Sequence, residues 1–200
     1  MTLFERSWAR AWRGVGARGD GLSSRDRLLA AYREMHRAYH TLQHLGECLT
    51  LFETAGVQAD RPSEVEIALW FHDAVYDVVA VDNEERSAAW AESALREAGV
   101  DEPAIERVRA AVLATRHAVP AATHDERLTV DIDLAVLGAS MERFAEYEIQ
   151  IRREYGFVPE ALFHEKRRAI LDGFLRRESV FATPWFVVRF EAAARRNLSR

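Results

Sequence analysis

IALWFHDAVYD, at residues 67 to 77, is the stretch of sequence that decides the fold. Apolar residues lie on both sides of the dipeptide His72-Asp73, so the pattern predicts a buried helix that carries an imidazole and a carboxylate into the core. Burial of an isolated carboxylate is unfavourable unless the group is paired or binds a metal ion. The dipeptide therefore predicts a partner for Asp73, and a solvated helix end with Asp73 facing water is the open alternative.

Helical patterns cover most of the remaining chain. Ser23 or Ser24 can cap a helix that runs to about Tyr39, and a further helix is expected from about Thr41 to Ala55. No alternating strand pattern of useful length is present, so the sequence predicts an all-α protein, an irregular bundle of roughly eight to ten helices. We expect a single domain over 1–200, with a core at about 24–177 and terminal helices 3–13 and 184–198 packed on it.

Composition limits the possible partners. The formal net charge is −5 and the pI is about 5.8, which argues against nucleic-acid and anionic-membrane partners. Cys48 is the only cysteine, so no intramolecular disulfide can form. The N-terminal segment differs from a signal peptide, and no run of about 18 apolar residues occurs. We expect a cytoplasmic monomer or homodimer.

Several polar residues suggest a metal site. His40 and His44 are four residues apart in YHTLQH and share a face if this stretch is helical, although such pairs also occur by chance on surface helices. His44, the dipeptide and either Asp131 or Asp133 together offer two imidazoles and two carboxylates, largely in apolar surroundings. Such a set suits Mn, Fe, Co, Ni, Zn or Mg, and the lack of thiolates disfavours a closed structural zinc site.

The order His, His-Asp, Asp resembles the HD superfamily of metal-dependent phosphohydrolases, which are all-α proteins. The resemblance extends over residues 39 to 137, and the phrases YHTLQH, ALWFHDAVYD, NEERSA and DIDLAVLG are similar to an uncharacterised bacterial group of predicted HD hydrolases. It implies a divalent metal ion, alone or as one of two. The ligands implied are His44, His72, Asp73 and Asp133, with Asp131 as the weaker alternative.

The resemblance also implies catalytic roles. YHTLQH is similar to a phrase of cyclic-nucleotide phosphodiesterases in which the first histidine protonates the leaving oxygen, and this makes His40 the general acid, although Thr41 replaces the asparagine of that phrase. HDAVYD is similar to the HDxxED phrase of alarmone hydrolases, in which an acidic pair assists the attacking water. Asp77 matches the second acid and Tyr76 replaces the first, so Asp77 either assists catalysis or caps the helix end.

Substrate contacts are expected from basic residues. His117 could bind a phosphate oxygen or a second metal ion, as later histidines do in some HD proteins, or it could be structural at a helix C-terminus. Arg116, Arg152 and Arg153 could neutralise the charge that develops on a transferring phosphoryl group.

The function implied is hydrolysis of a phosphoester in a nucleotide or other small phosphorylated metabolite, through a water held by the metal ion. One alternative is an HD-fold di-iron oxygenase, which needs two further histidines between the dipeptide and the last aspartate, where only His117 and His124 occur. The other alternative is a non-catalytic helical module for metal binding or protein interaction.

Overall fold

The computed structural model describes residues 1–200, whose regular elements are all helices. The predicted all-α class is therefore confirmed. The α-helices are α1 (Leu3–Gly14), α2 (Leu22–Ala31), α3 (Leu42–Ala55), α4 (Pro62–Phe71), α5 (Asn83–Glu97), α6 (Glu102–Ala114), α7 (His124–Asp133), α8 (Met141–Glu154), α9 (Glu160–Leu175) and α10 (Pro184–Leu198). Short 3-10 helices lie at Gly56–Gln58 and Leu134–Gly138.

The chain forms two compact units, Met1–Asp133 with α1 to α7 and Leu134–Arg200 with α8 to α10. The four residues expected to bind metal all belong to the first unit. The expectation of one domain over 1–200 stays a prediction.

Helix α4 is the buried centre of the first unit. Pro62 occupies its first turn, where a missing backbone N–H removes no helical hydrogen bond. Every residue from Val65 to Phe71 is buried, and α4 packs against α1, α3, α5, α6 and α7. A helix that is apolar on all sides needs neighbours on all sides. The segment that follows α4 therefore begins in the interior of the first unit.

The end of α4 differs from the sequence prediction. The helix ends at Phe71, before the His-Asp dipeptide, whereas the pattern predicted a helix to residue 77. Ser87 Oγ on α5 accepts a hydrogen bond from the Val75 N–H at 3.0 Å, and Arg37 donates to the Asp73 carbonyl oxygen at 2.7 Å. Backbone groups beyond the helix thus have partners from elsewhere in the chain, which allows the chain to turn without leaving buried groups unpaired.

Helix α2 is shorter than predicted. It ends at Ala31, and residues 32 to 41 form turns rather than a helix to Tyr39. The Tyr32 hydroxyl donates to the Trp70 carbonyl oxygen near the end of α4, and the side chain of Arg37 is fully buried. These contacts hold the segment in an irregular course beside the end of α4.

A buried polar cluster joins α1 to α4. Glu66 is 1% exposed, and it accepts hydrogen bonds from Ser7 Oγ at 2.6 Å and from Arg10 Nε at 2.9 Å. The Trp70 indole N–H donates to Ser7 Oγ at 3.0 Å, so the serine hydroxyl both donates and accepts. Because each buried polar group has a partner, the cluster avoids the penalty of an unpaired buried carboxylate.

The second unit has its own anchors. Glu191 on α10 accepts hydrogen bonds from the backbone N–H groups of Val180 and Phe181 and from Ser179 Oγ. Asn197 donates to two carbonyl oxygens of the segment before α8, at 2.9 and 3.0 Å. Across the chain, the helices are all too short or too polar to cross a membrane.

Candidate metal centre

Four side chains from three parts of the first unit converge on one point. His44 comes from α3, His72 and Asp73 follow α4, and Asp133 is the last residue of α7. The Nε2 atoms of His44 and His72 are 3.0 Å apart, and both face Asp73 Oδ2, at 3.3 and 3.0 Å. Asp133 Oδ1 lies 3.2 and 3.6 Å from the same two nitrogens. One donor atom from each residue thus lies within 4.8 Å of the others.

The protonation of His72 follows from its second nitrogen. His72 Nδ1 lies 2.8 Å from the carbonyl oxygen of Leu69 on the preceding turn of α4. Because a carbonyl oxygen only accepts hydrogen bonds, Nδ1 carries a proton, and Nε2 is the nitrogen that remains to bind an ion at the centre. Histidines that bind metal ions are oriented in this way by the bond from their other nitrogen.

The acceptors at the centre outnumber the donors. Asp73 Oδ2 is buried, and neither nearby imidazole nitrogen is aligned to donate a hydrogen bond to it. The two imidazoles are 1–2% exposed and the two carboxylates 15–17%, so water is largely excluded. Buried acceptors that face one another require a positive charge between them, supplied by protons or by a metal ion. The donor set, two nitrogens and two carboxylate oxygens, fits a divalent cation.

The pKa shifts describe the same charge balance. Burial alone would raise the pKa of Asp133, yet this pKa is lowered because His117 and His44 bond to the carboxylate. Burial would likewise raise the pKa of Asp73, but the charge of His72 holds it well below its usual value. For His72, burial lowers the pKa and the Asp73 carboxylate raises it, with a net increase. The centre therefore keeps two carboxylates ionised and attracts either protons or a cation.

Asp133, and not Asp131, belongs to the convergent group. Residues two apart on a helix point in directions about 200° apart, so α7 cannot turn both carboxylates towards one point. Asp131 is buried and engaged in other interactions.

His40 lies beside the centre but not on the helix of His44. It occupies the turn before α3, which Thr41 caps by accepting from the Gln43 N–H at 3.2 Å. The stretch is not helical at His40, so the condition under which His40 and His44 would share one helix face is not met. The His40 ring stacks on Tyr76 at 4.0 Å between centroids, and its centroid is 6.1 Å from that of His44. The ring is half-buried, as a residue that exchanges protons with a bound substrate requires.

Asp77 is exposed and holds a turn. Its Oδ1 accepts from the Val79 N–H at 3.1 Å, and its backbone N–H and carbonyl oxygen both bond to the side chain of Asn83. These bonds close the loop between the dipeptide and α5. They give Asp77 a structural task, and its predicted role in catalysis stays a prediction.

His117 stands at the other side of the carboxylate of Asp133. Its Nε2 lies 3.4 Å from Asp133 Oδ2, the oxygen that does not face the two buried histidines. The backbone of His117 has a φ of 56°, in the left-handed region that residues other than glycine rarely adopt. The strained turn after α6 thus places this imidazole against a candidate ligand.

Two of the three arginines expected at phosphate have other partners, and the third is exposed. Arg116 is exposed and pairs with Glu85 of α5. Arg152 donates to the carbonyl oxygens of Tyr155 and Val158 in the second unit, at 2.7 and 3.0 Å. Arg153 is exposed on α8. Their contact with a substrate stays a prediction.

Two residues beside the centre were not predicted to belong to it. Arg37 is buried and bonds to the backbone of the dipeptide turn. Cys48, one turn after His44 on α3, has its Sγ 3.8 Å from both ring nitrogens of that histidine. This sulfur, together with one ring nitrogen each of His44 and His72, forms a second group of possible ligand atoms that lie within 4.8 Å of one another. The i, i+4 spacing could have revealed Cys48, whereas no local signal marks Arg37.

Comparison with protein-family models gives no match for this chain, and neither a curated protein nor a solved structure matches it. The site is therefore argued from its own residues. The fold and the site define an all-α protein with a candidate metal centre of two histidines and two aspartates.

Proposed function

We propose that this protein is a metal-dependent phosphohydrolase that acts on a nucleotide or another small phosphorylated metabolite. The observation that carries the proposal is the convergence of His44, His72, Asp73 and Asp133, with a buried Asp73 oxygen that has no hydrogen-bond donor. The order of these ligands along the chain is that of the HD superfamily, which the sequence resembles.

The donor set supports an open site rather than a closed structural one. Four protein ligands of nitrogen and oxygen leave one or two positions on an octahedral ion for other ligands. A divalent ion held there would supply Lewis acidity and lower the pKa of a water from 15.7 towards roughly 7.

The chain's own residues supply the remaining tasks. His40 would donate a proton to the leaving oxygen, a role supported by its half-buried ring, which lies next to that of His44 and stacks on Tyr76. His117 holds the outer oxygen of Asp133 and thereby keeps Oδ1 turned towards the two buried histidines. Arg116 would have to exchange Glu85 for a substrate phosphate, which its exposed position permits.

The test combines metal analysis of the purified protein with phosphate release from a panel of nucleotides and sugar phosphates. We expect a bound divalent ion, hydrolysis of part of the panel, and loss of both in Asp73→Ala and Asp133→Ala. The exposed carboxylate of Asp82 provides the control, since Asp82→Ala should retain both properties. Two irons with O₂ consumption would favour an oxygenase instead, and a protein that binds no metal under any condition would be an interaction module.

A further inference from the structure

The guanidinium of Arg37 is buried in the first unit, and each of its three nitrogens donates at least one hydrogen bond. Its side chain is 0% exposed. Nε donates to Glu34 Oε2 at 3.0 Å, and Nη1 donates to the carbonyl oxygens of Asp73 and His40 at 2.7 and 3.2 Å. Nη2 donates to the Ala74 carbonyl oxygen at 3.1 Å and lies 3.0 Å from the same Glu34 oxygen. Four of the five N–H groups of the guanidinium thus donate hydrogen bonds, and the charge is paired with that of Glu34.

We propose that Arg37 is the positioning residue of the metal centre, joining the turn that carries Asp73 to the turn that carries His40. This inference rests on the proposed function, because it assigns Arg37 to the site that would bind the ion. The two turns are more than thirty residues apart in the sequence, and a single planar group bonds to the backbone of both.

The hydrogen bonds of Arg37 reach the backbone of Asp73 and of His40. One accepting carbonyl belongs to the ligand Asp73 itself, and another belongs to His40, four residues before the ligand His44. Tyr32 supports the same turn, since its hydroxyl accepts from the Asp73 N–H at 3.3 Å. Asp73 is therefore held through both its N–H and its carbonyl oxygen, which limits the positions that its carboxylate can reach.

The environment of Arg37 requires a guanidinium rather than any cation. Its Cζ lies 5.3 Å from the centre of the Tyr32 ring and 5.6 Å from that of Tyr76, the ring on which His40 stacks. A lysine ammonium is a point charge with three donors, whereas the planar guanidinium stacks on aromatic rings and donates in several fixed directions. Arg37→Lys thus keeps the charge that offsets Glu34 and loses the geometry.

The experiment measures Co²⁺ binding to the full chain by titration calorimetry, together with the visible absorption spectrum of the bound ion. Residues that orient metal ligands typically change metal affinity or activity by about 10–100-fold when replaced. We expect Arg37→Lys to weaken Co²⁺ binding by about 10–100-fold and to alter the spectrum, with lower turnover on any substrate found. Arg10→Lys is the control, because the Arg10 guanidinium bonds to the carboxylate of Glu66 in the first unit, which is not one of the candidate ligands. It should lower stability without changing affinity or spectrum.

The outcomes separate this inference from the proposed function. Wild-type affinity and an unchanged spectrum in Arg37→Lys would overturn the positioning role, as would an equal loss in Arg10→Lys. If Arg37→Lys does not fold, Glu34→Gln replaces it, since Glu34 is half-exposed and its carboxylate bonds to the guanidinium at 3.0 Å, with His36 Nε2 farther away at 3.8 Å. That variant should alter the spectrum in the same direction, and an unchanged spectrum would again refute the role. A wild-type protein that binds Co²⁺ but hydrolyses nothing would refute the hydrolase alone, whereas one that binds no Co²⁺ would refute both.

Discussion

Replacing His72 with glutamine should reduce stability far more in the presence of metal than in its absence. The substitution removes one candidate ligand and the hydrogen bond from Nδ1 to the Leu69 carbonyl oxygen. Loss of such a bond costs about 0.5–1.5 kcal/mol, and this cost applies with or without an ion. A ligand that binds only the folded state adds about 2.7 kcal/mol at roughly 100 times its dissociation constant, and the variant should lose this contribution.

These energies translate into melting temperatures. For a chain of this length, 1 kcal/mol corresponds to about 2–4 °C. With about 1 kcal/mol lost in chelator, the variant should melt about 2–4 °C below the wild type. With metal, the variant loses about 3.7 kcal/mol of unfolding free energy in total, so its melting temperature should lie about 7–15 °C below that of the wild type. The assay is thermal unfolding followed by far-ultraviolet circular dichroism, in chelator and in excess Mn²⁺ or Zn²⁺.

His124→Gln is the control for this experiment. The Nε2 of His124 also lies 2.8 Å from a carbonyl oxygen, that of Gln58, and this histidine is not part of the convergent group. The melting temperature of His124→Gln should fall below that of the wild type by the same small amount in chelator and in excess metal. An equal gap for His72→Gln with and without metal would refute the assignment of His72 as a ligand.

Three further predictions follow from the same structure. His40→Ala should retain the metal ion and lose about 10²–10⁴-fold in turnover, measured by phosphate release, because it removes a proton donor and no ligand. Glu66→Ala should lower the free energy of unfolding in urea by about 1–3 kcal/mol, because Ser7 and Arg10 lose their shared partner and the exposed guanidinium is then solvated. Glu191→Gln should lower stability by about 1–3 kcal/mol at neutral pH, with the difference shrinking in acid.

The sign of the Glu191 prediction follows from its pKa. Burial would raise the pKa of Glu191, but the Val180 and Phe181 N–H groups and the Ser179 hydroxyl lower it below 4.5. The stability from this carboxylate is therefore present above the ordinary glutamate pKa and is lost as the pH falls through the lowered value. Urea titrations of both proteins between neutral and acidic pH measure the difference, and a gap that grows in acid would contradict the argument.

Each remaining prediction has its own refuting result. Loss of the metal ion in His40→Ala would make His40 a ligand rather than a proton donor. Unchanged urea unfolding of Glu66→Ala would mean that the α1 to α4 cluster contributes nothing to stability.

Local sequence determined the helices and the choice of candidate ligands. Pro62 and the apolar run to Phe71 are sufficient to predict a buried helix, because they combine a favoured first position with residues that need cover on all sides. The chemistry of histidine and aspartate indicated a metal site with His44, His72, Asp73 and either Asp131 or Asp133, since such groups are rarely placed in apolar surroundings without a partner. The choice of Asp133 came from the resemblance to the HD superfamily.

Only the tertiary structure decided where the ends of those helices lie and what surrounds the ligands. The stop at Phe71 depends on Ser87 and Arg37, which reach the next turn from other parts of the chain, and no local pattern describes their hydrogen bonds. The pairing of His117 with Asp133 likewise depends on a left-handed backbone at a histidine. Helix formation is governed by neighbours in sequence, whereas the position of a donor atom to within 1 Å is governed by contacts between residues that are distant in sequence. A metal centre depends on the positions of its donor atoms, and therefore on those distant contacts.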